Sequence, residues 1–193
     1  MAVDPLTGGA GGAGPGLFVR YRQGECRGMQ NALAVICDAH EEWGRLTGRH
    51  HAPLIERYRM EDADFAIVTL GSMTGAAKDA VDEARGTGTR VGLVKVKTFR
   101  PFPVAVVADA LRGVRAFSVV DRSVDFGWNC GPLYREVLTA LQQLTPQPAS
   151  LSFIGGLAGA DLTVEHFTRV IATTGQLSRT SPLPGPVWLN AGD

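Results

Sequence analysis

The sequence predicts an α/β fold of three layers: a mostly parallel sheet with helices on both faces. Three observations carry this prediction. From Ala63 onward, short apolar segments rich in Val and Ile alternate with segments whose apolar residues recur every three or four positions. The short segments are apolar throughout, as strands covered on both faces are. The connections between them are brief and hold Gly or Pro.

The elements follow in order. Met29, Leu33, Ile36, His40 and Trp43 predict an amphipathic helix from about Gly28 to Leu46, with Gly44 and Gly48 marking its end. A linker with Pro53 leads to the polar run Glu56-Arg57-Tyr58-Arg59. Phe65 to Leu70 reads as the first strand. Gly71-Ser72-Met73-Thr74-Gly75 then turns into a helix with Ala77, Ala80, Val81 and Ala84 on one face, stopped by Gly86 and Gly88. Arg90 to Thr98 is the second strand, and Phe102 to Leu111 a helix opened by Pro103. Ala116 to Val120 is the third strand, Pro132 to Leu144 the third helix of the alternating region, and Leu151 to Ile154 the fourth strand. Thr163 caps a last helix bearing Val164, Phe167, Val170 and Ile171. The crossovers should be right-handed.

This organisation gives four segments. Residues 1–27 read as a flexible Gly-rich leader, 28–55 as an N-terminal helix and linker, 56–174 as the α/β domain, and 175–193 as a Pro-containing tail anchored by Val187, Trp188 and Leu189.

Composition narrows the function. The 193 residues are 45% hydrophobic and carry 19 basic and 19 acidic side chains, a formal net charge of zero. That argues against a disordered chain and against a nucleic-acid binder, which needs basic excess to neutralise phosphates. No apolar run reaches the ~20 residues of a membrane span, and no signal peptide is legible, so the expectation is a cytoplasmic protein with no membrane partner. Cys26, Cys37 and Cys130 are spaced for neither a disulfide framework nor a metal site, and read as buried free thiols. The histidines form no ligand cluster; His50-His51 reads as solvated loop.

The candidate contact residues gather where strands end. Gly71, Ser72, Thr74 and Gly75 form the first strand-to-helix turn, where doubly wound sheets bind ligands and a helix N-terminus offers N–H groups to an anion. The plainer reading has the two glycines permitting a tight turn and close packing. Arg100, between Phe99 and Pro101, is either a fork for an anion or a member of an internal ion pair. Asp121 and Arg122 close the third strand at the same sheet edge, as ligand contacts or as a structural pair. Asp125 to Pro132 is a Gly/Trp/Asn loop suited to a contact surface, and Glu61-Asp62-Ala63-Asp64 an acidic run that reads as solvated. No nucleophilic triad or carboxylate pair stands out.

Five strings in this order carry a resemblance: Ile55 to Asp64, Leu70-Gly71-Ser72, Phe99-Arg100-Pro101-Phe102-Pro103, Val120-Asp121-Arg122-Ser123, and Gly155 to Asp161. From about Gly28 to Thr174 the chain resembles the alpha subunit of pyruvate:ferredoxin oxidoreductase and related 2-oxoacid:ferredoxin oxidoreductases (pyruvate synthases). The likeness lies in that subunit's C-terminal domain, which has the fold of the transketolase C-terminal domain. One departure is visible: where the family typically has Gly-Leu-Gly-Gly-Arg-Asp, this chain has Gly156-Leu157-Ala158-Gly159-Ala160-Asp161, so the Arg is lost at Ala160.

The resemblance implies oxidative decarboxylation of a 2-oxoacid to acyl-coenzyme A, with electrons passing to ferredoxin. It places thiamine diphosphate, magnesium and iron–sulfur clusters in partner chains, none in this one, and carries over no catalytic, cofactor-binding or metal residue. The expected role is an accessory alpha-type subunit, or a C-terminal fragment of one, contributing structure and a subunit interface and not catalytic alone. Its partners would be the other subunits and, indirectly, ferredoxin. The alternatives are a free-standing anion- or nucleotide-binding module and a non-functional truncation.

Overall fold

A glycine in a helix interior costs up to ~1 kcal/mol, yet neither Gly24 nor Gly28 interrupts the first helix. Helix α1 (Pro15–Thr47) opens on a proline, whose missing N–H has no helical partner to lose at that position, and ends before Gly48 at φ +70°. The expected helix therefore begins at Pro15 and not at Gly28, and the segment read as leader is helical over 15–27. The computed structural model describes residues 15–178 and 185–191, so the remainder of the expected leader lies outside the described residues. The chain divides into two units, Met1–His51 and Ala52–Asp193. The expectation of three buried thiols also needs correction: Cys26 is exposed, Cys37 half-buried, and only Cys130 buried.

The second unit is built on six strands in the order β1-β3-β2-β4-β5-β6. They are β1 (Ile55–Tyr58), β2 (Phe65–Leu70), β3 (Val91–Val96), β4 (Ala116–Asp121), β5 (Ala149–Ile154) and β6 (Val187–Trp188). All neighbours pair parallel except β1, which runs antiparallel to β3 with Ile55 opposite Val96. Among them lie α2 (Thr74–Gly86), α3 (Val104–Ala110), α4 (Pro132–Ala140) and α5 (Val164–Gln176). This is the predicted three-layer α/β architecture.

The apolar strands serve two cores at once because successive side chains point to opposite faces. Phe65 and Ile67 of β2 face one core, with Ala77, Ala80 and Val81 of α2 and Phe167, Val170 and Ile171 of α5. Ala66 and Val68 face the other, with Val107 of α3 and Leu133, Tyr134 and Val137 of α4. The chain leaves β2 for β3 over the first face, then crosses back past β2 to β4 over the second, and so makes β2–β4 the switch point of the sheet.

Two edge strands and one crossover differ from expectation. Strand β1 lies in the segment read as a polar linker, because only Ile55 of its four residues is buried. Its polar side chains find partners on neighbouring elements: Glu56 with Lys78, and Arg57 with Asp109 at 3.3 Å. Strand β6 lies in the expected tail, where Leu189 is buried and Val187 packs against the core, but Trp188, also expected as an anchor, is exposed; residues 179–184 and 192–193 are outside the described residues. Helix α5 returns to the α2 face although the chain then joins β6 outside β5. The link through α5 thus has the opposite hand to that through α4, and its apolar side chains cover Phe65, Ala116 and Phe153, which α2 alone leaves open.

Phe117 is 1% exposed and its ring lies 6.5 Å from that of Tyr134. Its truncation removes a large group from the centre of one core. Phe117→Ala should cost ~3–5 kcal/mol in urea unfolding; a loss below ~1 kcal/mol would contradict the packing described.

Candidate functional site

The C-terminal ends of β2 and β4 diverge at the switch point and leave a cleft of about 460 Å³. Gly71, Ser72, Asp121 and Arg122 all line it, so four of the seven sequence-predicted residues meet there. Thr74, Gly75 and Arg100 do not. Leu70, Met73, Phe99, Val120, Ser123, Pro132 and Leu133 complete the wall and make it mostly apolar. The signal for Pro132 and Leu133 was available in the alternation itself: the turn after β4 opens on the same sheet edge as the turn after β2.

Each polar candidate has a local task. Gly71 adopts φ +83°, a conformation that favours glycine, and so turns the chain into α2. The Thr74 hydroxyl donates to the Gly71 carbonyl oxygen at 2.8 Å and lies 2.9 Å from Thr69 Oγ1. Gly75 is different from its plainer reading: a Cβ there would meet nothing within 4 Å, so no close packing requires a glycine. Arg100 donates to Glu136 at 2.6 Å and to its neighbour's carbonyl, Phe99 O, at 2.8 Å, with its guanidinium 4.3 Å from the Phe99 ring centre. Phe99 and Phe102 pack edge to face at 6.2 Å, both partly buried against the same core. The acidic run is paired as well, Asp62 with Arg85 and Asp64 with Arg90.

Arg122 holds a second loop. Its Nε and Nη2 donate to the Gly156 carbonyl oxygen at 3.2 and 3.1 Å. Gly156 has φ +72°, a conformation that favours glycine, and a Cβ on it would lie 2.7 Å from Arg122 Nε and displace that side chain. The Gly156 N–H donates to Asn190 Oδ1 at 2.7 Å, which ties the loop to the segment after β6. Within the loop Ala158 has φ +53°, a left-handed conformation that costs an alanine ~1 kcal/mol.

Asp121 is the most constrained of the set. It is 5% exposed and accepts backbone hydrogen bonds from Leu133 N at 2.9 Å and Tyr134 N at 3.1 Å, which caps α4 from the end of β4. Gly131, the residue before Pro132, donates to Ser152 Oγ at 3.1 Å, and a Cβ on it would sit 2.0 Å from Asp121 Oδ2. Burial pushes the Asp121 carboxyl up to about 6 from an ordinary 3.8, against the two N–H bonds, which favour the ionised form.

The linkage follows from the direction of that shift. Between about pH 4 and 6 the folded chain holds the Asp121 proton and the unfolded chain does not. The stabilisation from this group is complete below its unfolded pKa and is lost as pH rises through about 6. Relative to Asp121→Asn, the parent chain should lose about 3 kcal/mol of stability between pH 4 and 7 in urea titrations. A difference that stays flat over this range would show an ordinary carboxyl. Gly131→Ala should cost about 1–3 kcal/mol through the same crowding.

The family to which this geometry belongs is shown by comparison with known proteins. Residues 63–167 match the model of pyruvate:ferredoxin oxidoreductase core domain II. The NADH-dependent phenylglyoxylate dehydrogenase subunit alpha of Aromatoleum evansii is 59% identical over the whole of this chain and 46% of its own length. The pyruvate synthase subunit PorA of Methanosarcina barkeri is 32% identical over 92% of this chain and 44% of its own length. The chain thus spans about half the length of these curated relatives. A solved structure described as a split gene transketolase, inactive beta4 tetramer, matches with a TM-score of 0.51 at 18% identity, over 68% of this chain and 44% of that one, a likeness of fold alone. Since the family match runs from just before β2 into α5 and takes in both strand ends of the cleft and the loop held by Arg122, the chain belongs to the pyruvate:ferredoxin oxidoreductase core domain II family.

Proposed function

We propose that this chain acts as part of the alpha subunit of a thiamine-diphosphate-dependent 2-oxoacid oxidoreductase, and that the oxoacid carries an aromatic group. The observation behind this reading is the 59% identity, over the full chain, to a phenylglyoxylate dehydrogenase alpha subunit, against 32% to a pyruvate synthase subunit. The domain's contribution is structure and a subunit interface in a complex whose other parts hold thiamine diphosphate, magnesium and iron–sulfur clusters. The engagement of the polar candidates supports this division. Asp121 spends both carboxylate oxygens on the α4 backbone, Arg122 its fork on Gly156, and Arg100 its fork on Glu136 and its own neighbour.

The cleft does not fit thiamine diphosphate with its magnesium. Magnesium is held through carboxylates and phosphate oxygens, and the one carboxylate lining the cleft is consumed by backbone donors. No group of three His, Cys, Asp or Glu side chains able to hold a metal ion occurs among the described residues. No helix of the described residues is long and apolar enough to cross a membrane.

Two measurements test the reading. The complex purified through a tag on this chain should oxidise phenylglyoxylate with coenzyme A faster than pyruvate, with ferredoxin and NAD supplied separately as acceptors. Turnover of pyruvate alone would overturn the aromatic assignment. Isothermal titration of the isolated chain with thiamine diphosphate and magnesium should show no binding of micromolar strength, about −8 kcal/mol; such binding would overturn the division of labour.

A further inference from the structure

We draw no further inference here: the strongest candidate, the surface patch that Phe126 and Trp128 form on the loop between β4 and α4 beside the apolar cleft, carries nothing, because nothing in the structure shows what covers it.

Discussion

The carboxylate of Asp121 joins three parts of the domain at one point. It ends β4, accepts the free N–H groups that open α4, and leaves room beside itself only for a residue without a Cβ, Gly131. The loop between them must then leave and return within a short span, and it closes on the Asp125–Cys130 pairing. The helix N-terminus is satisfied from a strand end and not by a capping side chain of its own, so the position of α4 on the sheet is fixed by a tertiary contact. Burial of that contact raises the pKa of the carboxyl to about 6.

Much of this was legible in the sequence, for reasons that differ by element. Strands β2, β3 and β4 are apolar on both faces because two helical layers cover them, and that pattern survives without any knowledge of pairing. Strand β1 was not legible. Four residues with one buried side chain carry no periodicity, and its polarity is what an edge strand needs. The start of α1 was placed at Gly28, where the apolar spacing from Met29 begins, while residues 15–27 were read with the Gly-rich leader and are helical. The side of the sheet taken by α5 depends on which face is still open, a property of the assembled layers and not of any segment.

The cleft shows the same division. Its position followed from alternation and the switch-point rule, and Gly71, Ser72, Asp121 and Arg122 were placed there from sequence. Their tasks were not legible, because a charged pair at a strand end looks alike whether it meets solvent, ligand or backbone. Arg122 and Asp121 point their polar atoms at Gly156 and at α4, and glycine is favoured beside them, at Gly156 by its φ and at Gly131 by the close approach. Two of the strings that carried the family resemblance, Val120 to Ser123 and Gly155 to Asp161, are thus tied to backbone geometry at one sheet edge. Loss of a family Arg at Ala160 leaves this loop anchored, since Arg122 and Asn190 hold it through Gly156.

The edges of the sheet determine where the domain can meet other chains. Strand β1 sets Glu56 against Lys78 and Arg57 against Asp109, so a further strand added there would have to disturb ion pairs and bring charged side chains alongside it. Strand β6 has two residues and offers almost no ladder to extend. Both faces of the sheet are covered by helices that pack against the two cores. Growth by strand pairing is therefore disfavoured at both edges of the sheet. At the loop edge, the excursion between the Asp121 cap and α4 carries Phe126 and Trp128 into solvent. The constraint that closes the interior is thus also the one that shapes the exposed surface.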